Sequence, residues 1–137
     1  MKIAVDFDGT IVEHKYPSIG RERPFAIDTL LKLQADGHQL ILWTVRSGDL
    51  LQEALKWCEK RGLEFWAVNS NLPQGGLFTD KPEASRKIQA DIFIDDANVG
   101  GLPEWGEIYE LVTGKAARRR GSKRRHHPRW LRKLLGK

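Results

Sequence analysis

Asp6 and Asp8 stand one residue apart in Asp6-Phe7-Asp8-Gly9-Thr10, directly after the apolar run Ile3-Ala4-Val5. Two carboxylates this close oppose each other's ionisation unless a positive charge neutralises them. A divalent cation does so, and Mg²⁺ takes a few carboxylates together with water and phosphate oxygens. An Asp held against such an ion can attack a phosphoryl group and form an aspartyl-phosphate. Gly9 permits a sharp turn, Thr10 adds a hydroxyl and a backbone N–H, and both are expected among the substrate-binding residues. The plainer alternative is a strand that ends in ordinary turn formers. Three further elements weigh against it.

The first is Asp95-Asp96, which follows Ile92-Phe93-Ile94 as Asp6 follows its own apolar run. If the two strands are neighbours, Asp6, Asp8, Asp95 and Asp96 face one cation. Such crowding without a metal is costly, so an oxygen-liganded ion, Mg²⁺ above others, is expected. Turn formation before Asn98 and Gly100-Gly101 explains the pair locally, but not why two strands end alike. The second is Thr44, at the end of another apolar run. Its hydroxyl and the N–H groups of Val45 and Arg46 are expected to bind a phosphate oxygen, because positioned donors supply much of phosphoryl-transfer catalysis. Alone, a Thr there is simply a good strand residue. The third is a lysine to balance nucleophile and phosphate. Lys87 is preferred over Lys81, and a solvated surface lysine is the commoner reading of either taken singly. Arg46 either touches substrate phosphate or sits on the surface.

These positions need a scaffold, and strand and helix signals alternate along the chain. Strands are expected over 2–6, 39–44, 65–68 and 91–95. Helices are expected over 25–36, 48–61, 83–89 and 105–112, with Ser47 as N-cap of the second and Gly37 and Gly62 as stops. Residues 11–24 read as an irregular loop or small hairpin, and residues 69–82 as a loop. The alternation predicts parallel βαβ units with right-handed crossovers in a layered α/β domain.

At 137 residues and 40% hydrophobic content, the chain suits one compact core. The single cysteine, Cys58, excludes an intrachain disulfide and fits a reducing compartment. No signal peptide and no apolar segment of membrane-spanning length is visible, so a cytoplasmic location is expected. The net charge of +5 hides an asymmetry: residues 115–137 hold 11 of the 23 Lys and Arg and no acidic residue, leaving residues 1–114 at a net −6. The reading is a core over 1–114 and a separate basic tail over 115–137.

Together these motifs resemble the haloacid-dehalogenase-like (HAD) phosphohydrolase superfamily. The resemblance covers residues 1 to about 113 and is carried by Asp6-Phe7-Asp8-Gly9-Thr10, Leu42-Trp43-Thr44, Lys81 or Lys87, and Ile92-Phe93-Ile94-Asp95-Asp96. The last stretch, with Asn98 and Gly100-Gly101, is also similar to short uncharacterised bacterial members. The resemblance implies a three-layer, Rossmann-like parallel sheet with the first strand central. It implies a Mg²⁺-dependent phosphatase with Asp6 as nucleophile and metal ligand. Asp8 would be the general acid/base, with its backbone carbonyl on the metal. Thr44 and the lysine would hold the phosphoryl group. Asp96 would bind the metal directly, and Asp95 would orient it or bridge through water. Residues 11–24 and 69–82 are too short for the cap domain many members carry, so a capless member is expected. Water exclusion then falls to a large substrate, a partner subunit or a loop.

The tail admits three readings. It binds nucleic-acid phosphates, it lies on an anionic membrane surface, or it is a solvated tail without a dedicated partner. Trp130, Leu131, Leu134 and Leu135 would lie on one side of a short basic helix, and they could also dock on the core or on a second copy of the chain. Two alternatives to the phosphatase stand. One is a receiver-like signalling module, which uses the same Asp, Thr, Lys and Mg²⁺; Asp8 discriminates, because a second carboxylate beside the nucleophile would speed dephosphorylation and shorten the signal. The other is a catalytically idle nucleic-acid-binding protein acting through the tail.

Overall fold

The computed structural model describes residues 1–72 and 88–114. Four short strands form one parallel sheet: β1 (Lys2–Val5), β2 (Gln39–Leu42), β3 (Ala67–Val68) and β4 (Ile92–Ile94). The helices are α1 (Ala26–Ala35), α2 (Gly48–Glu59) and α3 (Trp105–Val112). This is a Rossmann-like α/β arrangement. Every strand is shorter than expected: β1 and β2 lose residues at their carboxyl ends, β3 at its start and β4 at both ends. The expected helix over 83–89, Lys81, Lys87 and the tail over 115–137 fall wholly or mostly outside the described residues.

The sheet order is β3-β2-β1-β4. The chain therefore builds outward from β1 through β2 to β3, then returns to the opposite side of β1 with β4. That reversal creates a topological switch point between β1 and β4. In open α/β sheets, ligands bind at the carboxyl ends of the strands at such a point. The register pairs Val5 with both Leu42 and Ile94, so Asp6, Trp43 and Asp95 come next on three adjacent strands. The Asp6 N–H extends the ladder to the Ile94 carbonyl (3.0 Å), and the Trp43 N–H extends it to Val5 (2.8 Å). The condition set by the sequence, that the two acid-ended strands be neighbours, is met.

Alternation along the strands divides the core. Ala4, Ile41 and Ala67 share one face and pack with Ile88, Trp43 and Trp66. Ile3, Val5, Leu40 and Leu42 point the other way and are fully buried. On α1, Ala26, Ile27, Leu30 and Leu33 recur at helical spacing and are buried. On α2, Ala54 and Cys58 are buried. Burial pushes the Cys58 thiol up to about 12, so it is protonated and chemically quiet. Ser47 occupies the N-cap position of α2 as expected, but its hydroxyl makes no cap hydrogen bond.

Residues 11–24 form a small hairpin-like excursion. Glu13 N–H donates to the Arg21 carbonyl (2.7 Å) and Arg23 N–H to the Ile11 carbonyl (2.8 Å). A Cβ on Gly20 would meet the Glu13 carbonyl oxygen at 2.1 Å, so only glycine permits this closure.

Two compact units divide the chain. The first runs from Met1 to Trp105 and contains the sheet, α1 and α2. The second begins at Gly106, and its described part is the remainder of α3 with Thr113 and Gly114. Among the described residues no helix is long and apolar enough to cross a membrane.

Candidate functional site

Asp6, Asp95 and Asp96 meet at the switch point. One carboxylate oxygen from each lies within 4.8 Å of the others. The backbone brings Asp6 and Asp95 side by side, and Gly9 admits Asp96. Gly9 has φ +86, and a Cβ there would lie 2.3 Å from Asp96 Oδ2. Gly9 is thus required twice, for its left-handed turn and for the close approach of a carboxylate.

Thr10 fastens this trio from within and is fully buried. Its Oγ1 accepts the Asp96 N–H (3.0 Å) and lies 3.0 Å from Asp6 Oδ2 and 3.3 Å from Asp96 Oδ1. One hydroxyl proton serves one of these two carboxylates at a time. The Thr10 carbonyl accepts the indole N–H of buried Trp105 at 3.0 Å. The hydroxyl and N–H read from sequence as substrate donors are therefore structural. The Thr10 N–H is held by Phe7 and the Gly9 N–H by Val12.

Crowding shows in the electrostatics. Burial and the neighbouring Asp95 charge push the Asp6 carboxyl from 3.8 up to about 7, against a lowering by the Thr10 hydroxyl. Such a group favours a proton or a cation near neutrality. The trio offers only hard carboxylate oxygens, the donor chemistry that suits Mg²⁺ or Ca²⁺ and not a soft metal.

Asp8 departs from the expected four-carboxylate cluster. Its side chain is taken by Arg46 in a two-pronged pair, Nε to Oδ2 and Nη2 to Oδ1, each at 2.7 Å. The guanidinium side chain is fully buried and the carboxylate nearly so. The hydrogen bonds to Asp8, and then its charge, raise the Arg46 pKa above its usual value against a lowering by burial. Neither expectation for Arg46 survives. It is not on the surface, and it has no donor left for substrate. Its remaining N–H groups go to the carbonyls of Pro17 (3.2 Å), Ser18 (3.0 Å) and Leu50 (3.4 Å), which completes the five donors of the fork.

Thr44 lies beyond the end of β2. Its Oγ1 accepts the Arg46 N–H (3.1 Å), so that amide is not free for phosphate, while the hydroxyl donates no hydrogen bond among the described residues. The Thr44 N–H is held by Asn69 Oδ1 (2.8 Å). Val45 is 88% exposed, and its N–H makes no hydrogen bond among the described residues. Of the three phosphate donors expected here, the Thr44 hydroxyl and the Val45 amide remain.

Three site residues were missed in the sequence. Asn69 adopts φ 48 and ties β3 to β2 twice, through Thr44 and through its own N–H to the Leu42 carbonyl (2.8 Å). An Asn directly after an apolar strand was the available signal, since Asn tolerates the left-handed region. Arg23 brings a guanidinium to the Gly9 carbonyl (3.2 Å). Trp105 reaches Thr10 across 95 positions, with no local signal.

No family model matches the chain, and no curated protein matches it. A solved structure does: a conserved protein coded by a locus of Bacteroides thetaiotaomicron, 58% identical, with a TM-score of 0.76. The match covers 84% of this chain and 91% of that one. The chain belongs to that protein's family. At this identity and coverage, the Rossmann-like sheet is a property of the family as well as of this sequence.

Proposed function

We propose that the protein is a Mg²⁺-dependent phosphatase of HAD type that works through an aspartyl-phosphate on Asp6. The observation that carries this reading is the convergence of Asp6, Asp95 and Asp96 within 4.8 Å at the switch point of a parallel sheet. Asp6, Asp95 and Asp96 would hold the cation, which supplies charge neutralisation for nucleophile and phosphate. The resemblance implies that the Asp8 carbonyl would join them.

In the proposed cycle an Asp6 carboxylate oxygen attacks phosphorus. The bond from phosphorus to the leaving oxygen breaks, and that oxygen takes a proton from Asp8. Water then attacks the phosphorus of the acyl-phosphate and gives its proton to Asp8. The phosphorus–Asp6 bond breaks, which releases phosphate and restores the carboxylate. The Thr44 hydroxyl and the Val45 N–H would stabilise phosphoryl oxygens. Lys87, or Lys81, completes the charge balance. The short 11–24 excursion fits a site with no cap domain.

The test is a phosphatase screen over nucleotides, sugar phosphates, phosphopeptides and end-phosphorylated oligonucleotides, run with Mg²⁺ and with EDTA. Turnover is expected only with Mg²⁺, and Asp6→Asn is expected to remove about 10⁴-fold or more. Wild-type rates in Asp6→Asn would eliminate the assigned nucleophile. Hydrolysis too slow to measure, with phospho-Asp6 persisting for hours, would favour the signalling module.

A further inference from the structure

We infer that Arg46 is the positioning residue of Asp8: it holds that carboxylate off the Asp6–Asp95–Asp96 trio, so a bound cation does not recruit a fourth carboxylate and Asp8 stays available for proton transfer. The inference rests on the trio being a cation site. Asp8 is two residues from Asp6 in a sharp turn, and a divalent ion at the trio would attract its carboxylate. Two charge-assisted hydrogen bonds of 2.7 Å oppose that attraction.

Arg46 can resist the pull because it is itself anchored. Its three other N–H bonds run to the carbonyls of Pro17, Ser18 and Leu50, in two separate segments of the chain. The rings of Phe7 and Tyr16 each lie 5.2 Å from its guanidinium carbon. If Asp8 left, a fully buried guanidinium would stand without its counter-charge. The pair still leaves Asp8 free to act. The fork takes two of the carboxyl group's roughly four lone-pair sites, so the others remain for the proton that Asp8 gives to the leaving oxygen and takes back from water. A lysine could not reproduce this geometry, being a point charge without a planar fork.

Arginine side-chain NMR on the full chain tests this directly. The Nε–H resonance of Arg46, assigned by its loss in Arg46→Lys, is expected to keep its position and slow exchange while Mg²⁺ shifts the backbone amides of Thr10 and Asp96. An Nε–H signal that moves and exchanges faster as those amides shift means that Asp8 has passed to the ion, and the inference is overturned. Amides that never shift defeat the cation reading itself, and this inference with it. In Arg46→Gln, turnover is expected to fall about 100-fold while the Mg²⁺ dissociation constant measured by calorimetry stays level or tightens. Equal losses of turnover and affinity would mark a merely structural residue, and unchanged turnover would remove the role altogether. Should Arg46→Gln not fold, the wild-type resonance decides alone.

Discussion

At the scale of single residues, the site depends on contacts that tolerate no substitute. Gly9 is the sharpest case, because an added methyl group would collide with Asp96 Oδ2. Gly9→Ala is expected to abolish Mg²⁺ binding by calorimetry while leaving the far-ultraviolet circular dichroism of the sheet and helices unchanged. Retained affinity would mean Asp96 is not a ligand. Asp8 carries a different risk. Asp8→Ala leaves Arg46 buried and unpaired, so it is expected to cost about 3–5 kcal/mol of stability in denaturant titration. Asp8→Asn keeps an acceptor for the fork and is expected to lose about 10²–10⁴-fold in turnover with a smaller stability loss. Asp6 makes the metal-free protein sensitive to pH. Its folded value of about 7 lies above the ordinary 3.8, so the folded chain binds that proton more tightly than the unfolded chain. The associated stability is complete below the ordinary value and is lost as pH rises through about 7. The Tm measured in EDTA is therefore expected to fall between about pH 4 and about pH 7. Asp6→Asn should flatten that profile, and added Mg²⁺ should raise Tm most at the alkaline end. A profile identical in Asp6→Asn would assign the dependence elsewhere.

At the scale of elements, β1 and β4 act as one unit, since the Val5–Ile94 register delivers Asp6 and Asp95 together. This much was readable locally: an apolar run followed by acids marks the carboxyl end of a strand, and two such runs imply a shared edge of the sheet. What was not readable is whatever depends on partners remote in sequence. Arg46 stands 38 positions from Asp8, and nothing around it distinguishes a buried fork from a surface cation. Thr10 looked like a substrate donor because its type fits that role, yet its hydroxyl is spent inside the trio. Trp105 is buried, and its N–H also secures the Thr10 carbonyl from the first residue of α3. Trp105→Phe keeps the bulk and removes that bond. It is expected to cost about 1–3 kcal/mol, through a buried carbonyl left unpaired, and to weaken Mg²⁺ binding. Lost stability with unchanged metal affinity would confine Trp105 to the core.

At the scale of the molecule, the sheet order explains why the chemistry collects where it does. A chain that starts at the sheet centre and returns across it must leave a gap at the reversal, and the acidic trio stands there. The α/β class and the parallel sheet followed from the alternation of elements. The family shared with the Bacteroides thetaiotaomicron protein extends the fold to a chain of similar span. The net −6 of residues 1–114 adds to the cation preference of the trio without fixing a substrate. Calorimetric titration of the full chain with Mg²⁺ addresses the central claim most directly. One ion bound per chain is expected in the wild type and none in Asp96→Asn; binding that survives in Asp96→Asn, or no binding in the wild type, would contradict it.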